Sequence, residues 1–388
     1  MRIIVDEAIP FAEEAFAGIG QVQAFPGRSV CREHVKEADI LLVRSVTRVN
    51  AKLLEGTGVR FVGTATIGFD HVDRDYLSQK GIRFETSAGS NANSVAEYVV
   101  AALLHVAERN GVPLAGQTVG VVGVGNAGSK VAAKCRSLGM QVFLNDPPRQ
   151  RREGGDQWSS LDQVLWESDV VTLHTPLTLE GQDATFHLLD KDRLGRMKAG
   201  ALLINTARGP VVDNAVLTEV LSAELPLGGV VLDVWESEPV ISIDLLERVL
   251  IGTPHIAGYS LDGKVTATEM MYAAVCDFLG VAPGWRPTLP PAPVPKIEFD
   301  AGAYASEQAA LETFVRSVYD IQADDAALRP IARLAPEERG AFFDSLRKEY
   351  PVRREFRFTE IVGEQMPASL REVLEQLGFH LPRLRSAS

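Results

Sequence analysis

Gln117-Thr118-Val119-Gly120-Val121-Val122-Gly123-Val124-Gly125-Asn126-Ala127-Gly128 runs from an apolar strand into a glycine turn. Thr118 to Val122 is a near-continuous apolar run, as a parallel strand covered on both faces must be. The spacing G-x-G-x-x-G follows at Gly123, Gly125 and Gly128. The first glycine permits a tight turn. The second lets the backbone approach a pyrophosphate, and the third lets helix and strand pack closely. The helix N-terminus then supplies free N–H groups and a partial positive charge. In this strand–turn–helix context the spacing reads as dinucleotide-binding. Asp146 ends the next strand, 18 residues past Gly128. It is placed to accept hydrogen bonds from an adenosine ribose, and its charge repels a 2′-phosphate. The expected cofactor is therefore NAD and not NADP, a preference that Arg149, Arg151 and Arg152 weaken slightly.

On both sides of this stretch, apolar strands alternate with amphipathic helices, which implies parallel sheets covered on both faces. Upstream, Ile3 to Val5, Ile40 to Val43, Phe61-Val62 and Ile82 to Phe84 read as strands, and Asn91 to Arg109 as one long helix. Downstream, strands are expected at Val142 to Leu144, Val170 to Leu173, Ala201 to Ile204, Val230 to Leu232 and Leu250-Ile251. From Pro283 to Pro295, six of thirteen residues are proline, the composition of a semi-rigid connector. Residues 296–388 follow, with strands expected at Lys296 to Phe299 and Phe356 to Val362. Helices are expected there at Ser306 to Tyr319, Pro336 to Lys348 and Ser369 to Leu377. So small a unit gains stability by pairing with a second copy, and Leu311, Phe314 and Val315 offer an apolar helix face.

Thirty-nine Lys and Arg against 51 Asp and Glu leave a net charge of −12, which argues against a dedicated nucleic-acid binder. The three cysteines, Cys31, Cys135 and Cys276, are far apart, so neither a disulfide framework nor a zinc site is expected. No pair of histidines or carboxylates shows ligand spacing, and no metal is expected. The N-terminus lacks a signal-peptide pattern, and the most apolar long helix is interrupted by Glu97 and His105. A cytoplasmic protein that does not enter a membrane is expected.

Three later strands end in chemistry-bearing segments: Asn205-Thr206-Ala207-Arg208-Gly209, Asp233-Val234-Trp235-Glu236-Ser237-Glu238-Pro239, and Thr253-Pro254-His255-Ile256-Ala257-Gly258-Tyr259. Ligands of open α/β sheets sit outside such strand ends. Oxidation of a 2-hydroxy acid needs a cation for the carboxylate and a base for the hydroxyl proton. It also gains from a carboxylate that orients the base and raises its pKa. Arg208, His255 and a Glu of the second segment supply these types. His174, just after its strand, reads as a structural histidine.

This ordered set resembles the D-isomer-specific 2-hydroxyacid dehydrogenases over about residues 1–280. The resemblance implies two α/β lobes of Rossmann or flavodoxin type, an active site in the cleft between them, and Arg208, Glu238 and His255 as catalytic residues. Glu238, not Glu236, matches the family's Glu-Pro position. The implied division is a substrate lobe of residues 1–92 and 259–282 and an NAD-binding domain of 93–258. A linker of 283–295 and a C-terminal α+β dimerisation domain of 296–388 complete it, making the protein a homodimer. Leu42 to Thr47, Thr64 to Asp73 and His255 to Ser260 resemble further a branch that acts on a phosphorylated 2-hydroxy acid in pyridoxal 5′-phosphate biosynthesis. By matching positions, Ser45, Thr66 and Tyr259 contact that substrate. Gly123, Gly125, Asn126, Ala127, Gly128, Asp146, Thr175, Thr206, Ala207, Asp233 and Gly258 contact NAD. Arg44, directly after an apolar strand, is a candidate for the phosphate. A phosphoglycerate or glycerate dehydrogenase and an NAD-sensing corepressor of the same fold are the alternatives.

Overall fold

Short apolar strands separated by helices enter their sheet from the same end each time, so every sheet pairing among the described residues is parallel. The computed structural model describes residues 1–223 and 227–382. They divide into two units, Met1–Asn91 with Ser260–Pro291, and Ala92–Tyr259 with the chain from Ala292 onward.

The first unit holds β1 (Arg2–Asp6), β2 (Gln21–Phe25), β3 (Ile40–Val43), β4 (Phe61–Thr64) and β5 (Arg83–Thr86), in the order β2-β1-β3-β4-β5. β2 is not among the strands expected from the sequence. Its alternating Gln21-Val22-Gln23-Ala24-Phe25 is an edge strand without the solid apolar run of its neighbours. One sheet face is closed by the helix Leu261–Leu279. Its Met271, Tyr272, Val275 and Cys276 share a core with Ile3, Val5, Ile40, Leu42 and Phe61. A Cβ on Gly63 would lie 2.7 Å from the Met271 sulfur, so that glycine lets the helix close on the strand.

The second unit holds β6 (Thr118–Val122), β7 (Gln141–Asn145), β8 (Val170–Leu173), β9 (Leu202–Asn205), β10 (Gly229–Leu232) and β11 (Ile251–Gly252). Their order is β11-β10-β9-β8-β6-β7. The chain moves to one side of β6 to form β7 and to the other to form β8, so the sheet's switch point lies at the C-terminal end of β6. The expected α/β class and parallel sheets are therefore correct.

The C-terminal segment pairs β12 (Lys296–Glu298) with β13 (Glu360–Val362) in parallel. The strand expected from Phe356 begins only at Glu360. Phe356 is instead buried in a 3-10 turn and stacks on Phe379, with ring centres 4.7 Å apart. Leu311, Phe314 and Val315, on the helix Glu307–Val318, are buried in one core with Val99, Leu103 and Val106 of the helix Ala92–Asn110. The apolar face expected to meet a second chain is thus covered by the same chain. Polar contacts fasten it further. Arg353 Nη2 donates to Ser94 O (3.1 Å) and Ala257 O (2.6 Å), and the backbone N–H of Phe356 donates to Glu97 (3.0 Å). Asp325 accepts the N–H of Gly252 on edge strand β11 (2.7 Å), and Arg329 donates to Val249 O (3.0 Å). A sheet edge that would otherwise be open is blunted in this way. Among the described residues, no helix is long and apolar enough to cross a membrane.

Because this core is shared, Phe314→Ala should destabilise the whole second unit by about 3–5 kcal/mol, the usual cost of an emptied aromatic core site. Denaturant unfolding followed by helix content should then show one earlier transition for that unit. A separate early melting of the C-terminal segment alone would contradict the shared core.

Candidate active site

The glycine loop shows what each glycine does. Gly123 has φ +85°, and a Cβ there would lie 2.7 Å from the backbone of His174. A Cβ on Gly128 would lie 1.9 Å from the Gly123 carbonyl oxygen, while Gly125 has nothing within 4 Å of its Cβ position. Two glycines therefore permit packing, and the middle one leaves room for a ligand at the start of the helix Asn126–Ser137. Asn126 and Ala127 form its first turn. Asp146 accepts the N–H groups of Val124 and Arg149, both at 2.9 Å, and so braces the loop. Arg149 donates to the Val124 carbonyl, Arg151 pairs with Asp183 and Arg152 with Glu153, which engages all three arginines elsewhere. Thr175 Oγ1 is buried with no hydrogen-bond partner, as expected of a group awaiting a cofactor atom. Room above Gly125, braced Asp146 and the orphaned Thr175 fit a bound dinucleotide.

Arg208, Glu238 and His255 follow β9, β10 and β11, three neighbouring strands of one sheet. Asn205 shapes the first loop, accepting Ala207 N–H and donating to Arg208 O, both at 3.0 Å. A Cβ on Gly209 would lie 2.0 Å from the Trp235 carbonyl, so the Arg208 loop sits directly on the turn that carries Glu238. Ala207 is buried there. The Thr206 hydroxyl lies 3.1 Å from His174 Nδ1, and Thr172 lies 2.9 Å from His174 Nε2. Burial pulls the His174 pKa down to about 3, which suits a structural imidazole and not a base.

His255 Nδ1 lies 2.7 Å from Glu238 Oε2, and Glu238 Oε1 accepts the Trp235 N–H at 2.8 Å. Burial pushes the Glu238 carboxyl up, but the His255 charge, its hydrogen bond and the Trp235 N–H outweigh it and hold it below its ordinary value. Asp233 is 1% exposed. Its carboxylate accepts from Thr253 Oγ1 (2.7 Å), Ile256 N (2.7 Å) and Ala257 N (2.9 Å), and its backbone carbonyl accepts the His255 N–H (2.8 Å). Burial raises the Asp233 pKa despite these donors. They hold His255 at φ +58°, in left-handed backbone that a non-glycine residue adopts at a cost. Gly258 and the half-buried Tyr259 continue this turn, with the Tyr259 N–H donated to Ile256 O at 2.8 Å.

In the first unit, Arg44 and Ser45 lie in the turn after β3, at its C-terminal end. Burial raises the Asp6 carboxyl at the end of the adjacent β1, and the Arg44 charge pulls it back. Thr66 Oγ1 lies 2.6 Å from Thr64 Oγ1 and donates to Gly68 O at 3.0 Å.

Two features had no signal in the sequence. Arg347, on the helix Pro336–Lys348, lies over the Tyr259 ring with its guanidinium carbon 5.5 Å from the ring centre. His187, Asp213 and Glu236 bring ligand-type atoms within 4.8 Å of one another from three separate segments. Here His187 Nε2 meets Glu236 (2.6 Å) while Nδ1 meets Asp213 (3.3 Å). Opposite ring nitrogens face the two carboxylates, so the imidazole bridges them and does not converge with them on one point.

Residues 92–257 match the NAD binding domain of the D-isomer specific 2-hydroxyacid dehydrogenases, and residues 288–378 match a domain of unknown function. The chain is 48% identical to the erythronate-4-phosphate dehydrogenase of Pseudomonas fluorescens strain Pf-5, across 97% of this chain and 99% of that one. It belongs to the erythronate-4-phosphate dehydrogenase family. The enzyme of that name from Cronobacter sakazakii is 46% identical over 98% of both chains. The D-lactate dehydrogenase of Aquifex aeolicus, solved with NAD and lactic acid, aligns at a TM-score of 0.60 and 28% identity. That alignment covers 72% of this chain and 96% of the other. An NAD-binding dehydrogenase domain is thereby established, with NAD as its cofactor, as the glycine loop and Asp146 indicate.

Asp146→Ser should narrow the preference for NAD over NADP by about tenfold, since the repulsion of the 2′-phosphate goes while a capping hydroxyl stays. The ratio of kcat/KM for the two cofactors is the measurement. An unchanged ratio would show that Asp146 serves only the loop.

Proposed function

We propose that this chain oxidises 4-phospho-D-erythronate at C2 to 2-oxo-3-hydroxy-4-phosphobutanoate, a step of pyridoxal 5′-phosphate biosynthesis. The observation that carries the reading is the 2.7 Å contact between His255 and Glu238, beside the Arg208 loop. NAD bound at the glycine loop would accept the hydride from C2. Arg208 holds the substrate carboxylate through a charge-assisted, two-pronged contact. With Nδ1–H committed to Glu238, the Nε2 of His255 carries the free lone pair and takes the C2 hydroxyl proton. Glu238, an anion held below its ordinary pKa, stabilises the imidazolium that results. Ser45, Thr66, Tyr259 and Arg44 are proposed substrate contacts. Asp233 supports the reaction by shaping the His255 turn, in addition to its proposed place beside NAD. The test is NADH formation with a panel of three- and four-carbon hydroxy acids, with and without phosphate. Fastest turnover of a three-carbon acid would favour a phosphoglycerate or glycerate dehydrogenase.

His255→Ala should lower kcat by roughly 10²–10⁴-fold, the usual loss of general-base catalysis. Glu238→Gln removes the anion that faces the imidazolium and orients the ring, so kcat should fall, by a smaller factor than in His255→Ala. Arg208→Lys should raise KM and also slow chemistry, because the carboxylate loses its fixed orientation. A His255→Ala enzyme with unaltered kcat and pH profile would exclude His255 as the base.

Two copies of the chain are proposed to pair through the C-terminal segment. Val352 is 53% exposed and Phe358 38% exposed there, which supplies apolar surface in place of the covered Leu311 face. Light scattering on the full chain should give twice the monomer mass, and Phe358→Glu should reduce it. A full chain that scatters as a monomer would dispose of the pairing.

A further inference from the structure

The helix Pro336–Lys348 belongs to the region whose family model is a domain of unknown function, yet its last turn reaches the His255 turn of the same unit. Arg347 there is half-buried, and its guanidinium lies over the ring of Tyr259, the residue four positions past His255. Its Nε is buried and has no hydrogen-bond partner. An N–H left in that state costs free energy of desolvation unless a ligand accepts it. The guanidinium also acts on the reacting pair. Burial alone would lower its pKa, but Tyr259 and Glu238 outweigh that and raise it, and Arg347 in turn helps to hold the Glu238 carboxyl low. Arg347 is therefore a permanent cation, within electrostatic reach of Glu238 and carrying an unused donor.

A chain with a net charge of −12 needs local cations to hold a substrate bearing both a carboxylate and a phosphate. Arg208 is assigned to the carboxylate. A phosphate dianion takes several donors and suits the planar guanidinium fork. We infer that Arg347 binds the phosphate of the substrate beside Tyr259, so that the C-terminal region completes the substrate site and sets its preference for a phosphorylated acid. The inference rests on the function proposed above and deepens it. It gives the C-terminal region a part in recognition that the dinucleotide fold alone does not supply.

The test compares the intact enzyme with Arg347→Ala and Arg347→Lys, using 4-phospho-D-erythronate and unphosphorylated D-erythronate. Binding of NAD and the melting temperature serve as checks that each variant is folded. Arg347→Ala should lose roughly 10²-fold in kcat/KM for the phosphorylated acid, the scale of removing one member of a desolvated charge pair. It should lose far less with the unphosphorylated acid, about tenfold at most, the part that comes through Glu238 and Tyr259, and Arg347→Lys should recover part of the loss. Inorganic phosphate should compete with the phosphorylated substrate in the wild type and much less in Arg347→Ala. Equal losses on both acids would overturn the inference, because they would mark a residue that only braces Tyr259 and Glu238. Undiminished activity, or a variant that no longer folds at Lys as well as at Ala, would overturn it also. If the wild type itself prefers the unphosphorylated acid, the proposed function falls and this inference with it. If it prefers the phosphorylated acid and Arg347→Ala keeps that preference, only this inference falls.

Discussion

The buried Asp233 carboxylate accepts hydrogen bonds from Thr253, Ile256 and Ala257, and its own carbonyl takes the His255 N–H. The rest of the active site depends on that cluster. A histidine at φ +58° does not hold that backbone unaided. Once it is held, the ring meets Glu238, and Glu238 in turn is fixed by the Trp235 N–H only two residues beyond Asp233. The strand end, Glu238 and His255 are thus a single hydrogen-bonded body. Their positions are set before any substrate arrives, which is the condition under which proton transfer is fast.

Much of this site could be read in the sequence because its constraints are local. Gly123, Gly125 and Gly128 betray themselves by spacing, since a Cβ at two of them would strike backbone. Arg208, Glu238 and His255 each follow a short apolar strand within a few residues, so strand recognition alone brings them to one sheet end. What escaped was long-range or weakly patterned. Strand β2 alternates polar and apolar residues at an edge, and gave no apolar run to notice. The buried role of Leu311, Phe314 and Val315 depends on a helix some two hundred residues earlier, so an apolar face looked available for a second chain. The His187–Asp213–Glu236 group joins three segments that no spacing rule connects.

The C-terminal segment is bound to the dinucleotide sheet by several kinds of contact at once. Its helix Glu307–Val318 fills the core beside Ala92–Asn110, Arg353 reaches Ser94 and Ala257, and Asp325 closes the edge strand β11. Ala257 is two residues past His255 and also donates to Asp233. A displacement of the Arg353 segment is therefore transmitted to the His255 turn through one residue, Ala257. The segment is built as part of the dinucleotide-binding unit, although its sequence begins at a proline-rich connector.

The first unit has a different dependence, which shows itself while the chain is being made. Its five strands are complete at Thr86, but the helix that covers one sheet face, Leu261–Leu279, comes only after the entire six-stranded sheet. At about 5–20 residues per second, synthesis leaves roughly 10–40 s between the two. Throughout that interval Ile3, Ile40, Leu42 and Phe61 share their core with the short helix Ala12–Phe16 alone. The nascent protein must carry a partly covered apolar sheet past the ribosome while its second unit is still emerging. A holdase that engages the first ninety residues would have its longest opportunity here, and it would be released when Met271 and Val275 arrive.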